Sequence, residues 1–254
     1  METPGAQNTR RSLQVLRALG QNHNLGLGVN DVVQLTGLKR STAHRLLACL
    51  VEEGFAERDP LTRKYHLGIE TMRLGFASLT RAPLVAFYRP VLKKLARISE
   101  DTVFLAARQG DYTVCLARED GAFPVKIFST RVGDTRPLGI GVAGLAILAN
   151  LPHEEAARIH GQHLAAFESV GLTSINLQAA LLRARRVGYS ELFDTVTEGV
   201  GGVGAIIPDK NGGPFAAICI VSIKPRMSAT RRAELGALVL SSLASIAKGH
   251  AASP

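Results

Sequence analysis

Residues 29–67 constrain the fold more than any other stretch of the chain. Asn30 has the short polar side chain of a helix N-cap, which predicts a first helix over residues 31–36. Gly37 follows where the chain must reverse, because only glycine takes a left-handed conformation there without steric cost. A second helix is predicted over residues 39–53. Its apolar residues recur at steps of three and four and mark a buried face: Ala43, Leu46, Leu47, Leu50 and Val51.

The other side of this second helix is polar and basic over its first turns. No acidic residue occurs between Asp31 and Glu52. At the N-terminal end of a helix, arginine and lysine can meet guanine acceptors and phosphates in a DNA major groove, while hydroxyl groups and free backbone amides hold the sugar-phosphate chain. The residues predicted to contact DNA from this helix are Lys39, Arg40, Ser41, Thr42, His44 and Arg45.

Two short strands joined by a turn are predicted over residues 54–67, where apolar and polar residues alternate. Tyr65 and Leu67 would pack inward, and the turn would place Arg63 and Lys64 at its tip, where they touch phosphate or the minor groove. A basic helix that is only solvated is the alternative interpretation of the charge pattern. The turn glycine, the uninterrupted basic face and the hairpin together favour a winged helix-turn-helix that binds double-stranded DNA.

The segment LTGLKRSTAHRLLACLVEEGFAERDPLTRKYHLG resembles the N-terminal domain of the IclR family of bacterial transcription regulators. The family pattern is a leucine-glycine turn, a basic Ser-Thr helix start and a wing that ends in Tyr-x-Leu-Gly. The resemblance continues through RVGDTRPLGIGVAGLAILANLP, ARRVGYS and GVGAIIPDKNGGPFAAICIV, in the family's order. Because it covers nearly the whole chain, it implies a sequence-specific regulator of transcription whose second domain binds a small effector.

Four segments are expected along the chain. Residues 1–9 are small and polar and are expected to be disordered, and residues 10–67 form the winged helix-turn-helix. The resemblance implies a linker helix over residues 68–81 and an effector-binding and oligomerisation domain over residues 82–250. Apolar residues on the linker helix would be covered either by a second subunit or by their own domain.

The second domain is predicted to be an antiparallel sheet with flanking helices, which makes the fold class α+β. The sequence indicates a hairpin over residues 102–118, a third strand over residues 124–129 and a second hairpin over residues 203–223. A helix rich in glycine and alanine begins near Gly141. The family's effector domain is described as GAF-like, in agreement with this pattern.

The resemblance also implies where the effector binds, because family members that bind small carboxylates hold them beside the glycine-rich helix. Leu192, Gly202 and Val221 stand where other members can carry an acid, a cysteine or a serine, and this loss of polar groups favours a larger or more apolar ligand. The expected effector is therefore an aromatic or aliphatic acid rather than a two- or three-carbon oxo-acid. The start of the helix would hold its carboxylate with help from Arg136. The residues expected to bind the effector are Gly139, Val142, Ala143, Leu192, Gly202, Cys219 and Val221.

The composition favours an anionic partner and a reducing compartment. Basic residues exceed acidic residues by nine, which suits nucleic acid. Cys49, Cys115 and Cys219 are far apart and lack CxxC spacing, so neither a disulfide scaffold nor a metal site is expected, and no cofactor is implied. No apolar run approaches the roughly twenty residues needed to span a bilayer. We expect a cytoplasmic homodimer or homotetramer on a near-palindromic operator.

An enzyme built on the second domain and a regulator without an effector are the two alternatives. Residues 199–205 (GVGGVGA) superficially resemble a dinucleotide-binding loop, but they precede a predicted strand instead of following one. Cys115 and Cys219 have no neighbouring histidine to serve as a base. In the second alternative, the large domain serves oligomerisation only, and the sequence leaves this alternative open.

Overall fold

The computed structural model describes residues 5–81, 84–209 and 211–251. The chain divides into two compact units, residues 1–83 and residues 84–254. Residues 82–83, at the boundary, lie outside the described residues, as do residues 1–4 of the N-terminal segment expected to be disordered.

Unit 1 has the layout of a winged helix-turn-helix followed by one more helix. Its helices are α1 (Gln7–Gln21), α2 (Val29–Thr36), α3 (Arg40–Glu52) and α4 (Ile69–Arg81), and its strands are β1 (Ala56–Arg58) and β2 (Tyr65–Leu67). The strands pair antiparallel, with Ala56 opposite Leu67. Apolar side chains from the first three helices and the hairpin meet in one core, whose fully buried members include Val15, Leu19, Val32, Ala43 and Leu47.

Two helices of unit 1 begin earlier than the sequence predicts. In α1, the amide of Arg10 bonds to the carbonyl of Ala6 at 3.0 Å, so residues 7–9 are helical and the expectation that they are disordered is wrong. α2 begins at Val29 with Gly28 as its N-cap, because the carboxylate of Asp31 accepts a hydrogen bond from the Gly28 amide at 2.8 Å. Asn30 is therefore a helical residue and not the cap.

Unit 2 is a six-stranded antiparallel sheet with helices packed against it. The strands are β3 (Thr102–Gln109), β4 (Tyr112–Glu119), β5 (Thr135–Pro137), β6 (Ser190–Phe193), β7 (Val200–Pro208) and β8 (Pro214–Ile223). Their order across the sheet is β5-β4-β3-β8-β7-β6. The helices are α5 (Leu84–Ser99), α6 (Val142–Ala149), α7 (His153–Gln162), α8 (Leu164–Ser169), α9 (Ser174–Val187) and α10 (Ala229–Ala251).

Helices cover both faces of this sheet, because alternate residues of the central strands point to opposite sides. On β8, Cys219 belongs to the core shared with α6 and α9, whereas Ile220 belongs to the core shared with α5 and α10. All eight residues of α6 are buried, which explains why its sequence is almost entirely small or apolar. The predicted α+β fold class is confirmed.

The strand predicted over residues 124–129 is wrong. This segment belongs to the loop between β4 and β5, and β4 pairs instead with residues 135–137. Ile127 is 5% exposed, while Val125 and Phe128 beside it are 49% and 69% exposed. The alternating pattern therefore reflects a loop with one buried apolar side chain, Ile127, and not a strand paired in the sheet.

Candidate functional site

The first turns of α3 present basic and hydroxyl side chains to solvent. Thr42 is half-buried, and the other five residues predicted to contact DNA from this helix are exposed: Lys39, Arg40, Ser41, His44 and Arg45. Ser41 and Arg45 lie one turn apart, on the side opposite to the buried Ala43 and Leu47. The buried stripe is narrower than predicted, since Val51 is 36% exposed.

The N-terminus of α3 is open to an anion. Lys39 is its N-cap in an extended conformation, and within the described residues no side chain caps the first turn. The first amides of the helix therefore lack an intrahelical acceptor. Asn30 of α2 holds Arg40 beside them, since Arg40 Nη1 donates to Asn30 Oδ1 at 2.6 Å. Free amides and an oriented guanidinium at one helix end are suited to phosphate oxygens and guanine acceptors.

The turn between β1 and β2 projects as a wing. Oδ1 of Asp59 accepts hydrogen bonds from the amides of Leu61 at 2.7 Å and Thr62 at 3.2 Å, which hold the pKa of this carboxyl below its ordinary value. Leu61 at the tip is 92% exposed, and Arg63 is exposed with a left-handed φ of 57°. Lys64 is placed differently, because its Nζ donates to the carbonyl of Leu25 at 3.0 Å.

The wing is tied to the loop between α1 and α2 by two histidines. The amide of Leu67 donates to His23 Nδ1 at 3.3 Å, and His66 Nδ1 lies 2.7 Å from the carbonyl of His23. A side chain at Gly26 would meet the His66 ring, and Gly26 has a left-handed φ of 64°, so both space and conformation require glycine there. These contacts fix the direction of the wing relative to the loop between α1 and α2.

In unit 2, a cleft opens beside the N-terminus of α6, and we call it the α6 cleft. It holds about 660 Å³ of empty space, its open mouth included. Phe104, Cys115 and Cys219 form its floor on the sheet, and the start of α6 and the loops after β4 and β6 form its walls.

The cleft brings together five of the seven residues expected to bind an effector: Val142, Ala143, Leu192, Cys219 and Val221. Gly139 and Gly202 do not line it. A side chain at Gly139 would meet the core ring of Phe167, so this residue faces the interior. A side chain at Gly202 would meet the backbone of Ile220 on the neighbouring strand, and Gly201 lines the cleft instead.

Several polar side chains that line the cleft were not identified from the sequence: Thr113, Ser129, Thr130, Asp134, Thr195 and Thr197. Most of them lie on the two loops, where neither helical nor strand periodicity marks a residue as inward. The available signal was the hydroxyl-bearing pairs at residues 129–130 and residues 195 and 197, on either side of the glycine-rich helix in the sequence.

Arg136 brings a positive charge to the α6 cleft. Its Nη2 donates to the carbonyl of Ser129 at 2.8 Å and lies 3.7 Å from Oδ2 of Asp134. The same Oδ2 accepts a hydrogen bond from the amide of Arg131 at 2.8 Å. The ion pair is loose, so donors of the Arg136 guanidinium remain for an anionic ligand.

Neither thiol of the cleft is activated. Burial raises the pKa of Cys115 to about 11 and the pKa of Cys219 to about 12. Both are therefore protonated at neutral pH, whereas a nucleophilic cysteine requires the thiolate. Within the described residues, no group of three or more His, Cys, Asp and Glu side chains is arranged to hold a metal ion.

In the described part of the chain, no helix is both long and apolar enough to cross a bilayer.

Comparisons with known proteins match both units. The model of the IclR helix-turn-helix domain matches residues 9–60, and that of the bacterial transcriptional regulator IclR C-terminal domain matches residues 76–248. The transcriptional repressor IclR of Escherichia coli (strain K12) is 28% identical over 241 residues, which cover 94% of this chain and 88% of that protein.

Solved structures share the fold. An IclR family transcriptional regulator from Brucella abortus has a TM-score of 0.80 at 24% identity, over 98% of this chain and 97% of that one. An IclR homologue from Microbacterium hydrocarbonoxydans, solved in complex with 4-hydroxybenzoate, has a TM-score of 0.78 at 21% identity, over 97% of this chain and 100% of that one. The matching families are those of transcription regulators and not of enzymes. The chain belongs to the IclR family of DNA-binding bacterial transcription regulators.

Proposed function

We propose that a small organic acid with an aromatic or aliphatic body binds in the α6 cleft and changes how this regulator binds its operator. One observation carries the proposal: the apolar floor of Phe104, Cys115 and Cys219 lies in the same cleft as the guanidinium of Arg136. The floor suits a ring or an alkyl chain. Arg136 and the first amides of α6 suit a carboxylate.

The apolar floor of the cleft supports a ligand of this kind. A two- or three-carbon oxo-acid would leave most of the floor in contact with water, whereas a ring would exclude that water and gain the free energy of apolar burial. The homologue from Microbacterium hydrocarbonoxydans, which has the same fold, was solved with an aromatic acid, 4-hydroxybenzoate.

On the DNA side, Arg40 and Arg45 would contact base edges in the major groove, and the wing residues Arg63 and Lys64 would contact phosphate. Lys39, Ser41, Thr42 and His44 would complete the contacts of α3. A homodimer or homotetramer would place paired α3 helices in successive major grooves, roughly 34 Å apart, on a near-palindromic operator. Effector binding would change the separation of these helices through the linker helix α4.

Titration calorimetry tests the effector. We expect benzoate, 4-hydroxybenzoate or a medium-chain aliphatic acid to bind more tightly than glyoxylate and pyruvate. A tightest ligand with two or three carbons would reject the proposed class. If no acid binds and none raises the melting temperature, the alternative in which the second domain serves oligomerisation only would be favoured.

A further inference from the structure

One face of α1 changes character along its length. In the second half of the helix, Val15 and Leu19 are fully buried in the core of unit 1. Continued toward the N-terminus at steps of three and four, the same face carries Asn8, Arg11 and Ser12. A face that is apolar within the core thus becomes polar and basic toward the start of the helix.

These three residues form one wall of an open groove, which we call the α1–α3 groove. Its other wall comes from α3: Thr42, His44, Arg45, Leu46, Ala48, Cys49 and Glu52. The groove holds about 1110 Å³ of empty space, its open side included. Its α3 wall carries the exposed side chains of His44 and Arg45, so the groove suits an anionic partner.

Arg11 is the unusual residue in this groove. It is half-buried, yet the described residues provide its side chain with neither a hydrogen-bond acceptor nor an ion-pair partner. A guanidinium has five N–H donors and is always charged, so an outside anion gains from binding there. Arg45 brings a second positive charge to the same groove, and Glu52 is the acid at the other end of α3.

We infer that Arg11 binds a backbone phosphate of the DNA and that the α1–α3 groove receives the sugar-phosphate strand beside the major groove that α3 enters. This inference rests on the proposed DNA contacts of α3. Arg45 belongs both to the exposed face of α3 and to the groove lining, so the backbone beside the bases that Arg45 contacts would lie along the wall that carries Arg11. A phosphate contact carries no base information, so Arg11 sets the affinity for every duplex.

The test compares the full chain with its Arg11→Ala, Arg11→Lys and Arg17→Ala variants by fluorescence anisotropy. Arg17 is also on α1, exposed and outside the groove lining, which makes it the matched control. Each variant is titrated with two labelled duplexes, the DNA upstream of its own gene and a scrambled sequence, from about 50 to about 200 mM salt.

We expect Arg11→Ala to flatten the slope of log affinity against log salt by about 0.9 for each bound copy of the chain, equally on both duplexes. For each such contact, the factor by which Arg11→Ala lowers the affinity would be roughly three- to fourfold larger at about 50 mM salt than at about 200 mM salt. Arg11→Lys should keep most of the slope, because it keeps the charge. Arg17→Ala should change the slope by less than Arg11→Ala.

Three results would overturn the inference. The first is a salt slope for Arg11→Ala equal to that of Arg17→Ala. The second is a loss of affinity confined to the upstream duplex, which would indicate a base contact. The third is weaker binding at an unchanged slope together with a lower melting temperature, which would indicate a structural role. Failure of the proposed DNA recognition gives a different result. In that case the unmodified chain would not distinguish the two duplexes, whatever Arg11→Ala does to the slope.

Discussion

Nη1 of Arg40 at the start of α3 lies 2.6 Å from Oδ1 of Asn30 on α2. The hydrogen bond joins the exposed end of α3 to the preceding helix and orients the guanidinium. An arginine whose orientation is set before binding loses less side-chain entropy when it meets a base or a phosphate.

Arg40→Ala is expected to weaken operator binding by about 1–3 kcal/mol if Arg40 contacts a base. Asn30→Ala should cost less, about 0.5–1.5 kcal/mol, because it removes only the orientation of one side chain. The double variant should bind no more weakly than Arg40→Ala alone, because Asn30 acts through Arg40. Anisotropy titrations of the four proteins measure this cycle, and additive losses would show that Asn30 contacts the DNA itself.

Arg63 and Lys64 are neighbours in the wing but are expected to behave differently. Arg63→Ala should lower the affinity for all duplexes and flatten the salt slope by about one, as for a phosphate contact. Lys64→Ala should flatten it less, because the Lys64 ammonium already donates to the carbonyl of Leu25 at 3.0 Å. Salt titrations on one duplex compare the two variants. An equal effect on the slope would mean that the hydrogen bond to Leu25 does not limit the phosphate contact of Lys64.

Arg136 and Asp134 are expected to act in opposite directions on an acidic ligand. Arg136→Ala should weaken the binding of an aromatic acid by about 1.5–3 kcal/mol, the range for a hydrogen bond to a charged group. Asp134→Asn should strengthen it, because it removes an anion 3.7 Å from the same guanidinium. Calorimetry with 4-hydroxybenzoate at low and high salt measures both, and the gain should shrink with salt. Equal weakening by the two variants would mean that Asp134 helps to bind the ligand.

The three cysteines are expected to react in two classes. Cys49 is exposed, whereas Cys115 and Cys219 are buried with a raised pKa. A thiol reagent at neutral pH should therefore label one thiol quickly in the folded protein and all three after denaturation. Labelling of all three at one rate without denaturant would contradict the burial of the α6 cleft floor.

The buried thiols of Cys115 and Cys219 make the stability of the protein depend on pH. In the unfolded chain they ionise near pH 9, whereas in the folded chain their pKa values are about 11 and about 12. Between these values the folded state keeps protons that the unfolded state has lost, so the free energy of unfolding falls as the pH rises above about 9. Denaturant titrations at about pH 8 and about pH 10 should show this fall, and it should be smaller in a Cys115→Ala/Cys219→Ala variant.

Asp101 is expected to contribute strongly to the stability of unit 2. Its side chain is 0% exposed and accepts hydrogen bonds from Ser222 at 2.6 Å, Arg226 at 3.0 Å and Arg231 at 2.8 Å. Asp101→Ala should lower the free energy of unfolding by about 2–4 kcal/mol, because it leaves the two arginines without their shared anion. Glu100→Gln is the control, since Glu100 is 57% exposed, lies 3.6 Å from Arg226 and should matter by less than about 1 kcal/mol. Equal effects in denaturant titrations would contradict the role of Asp101.

The helix-turn-helix and the sheet could be predicted from the sequence because their periodicity reports burial directly. Ala43 and Leu47 recur at helical spacing and are both fully buried, and the hairpin predicted over residues 102–118 is present, with its turn at Gly110. The N-cap of α2 could not be placed by the same means. Asn30 and Asp31 are both good capping residues, yet the cap is Gly28, and Asp31 accepts the Gly28 amide hydrogen bond from the third position of the helix.

The α6 cleft was predictable only in part. Leu192 and Val221 lie on strands, where register determines which face a side chain occupies, and both line the cleft. Asp134 and Thr130 lie on a loop whose path follows from the anchor Ile127 and from hydrogen bonds of its own. Such a path depends on tertiary contacts that leave no period in the sequence.

The most direct test of sensing and DNA recognition together is the binding of the full chain to the DNA upstream of its own gene and to a scrambled duplex, titrated with salt. Each titration is repeated with 4-hydroxybenzoate, benzoate, an aliphatic acid and pyruvate. We expect a preference for the upstream DNA that persists with rising salt and that an aromatic or aliphatic acid changes. Equal, purely salt-driven binding to both duplexes, unaltered by every acid, would contradict the proposed function.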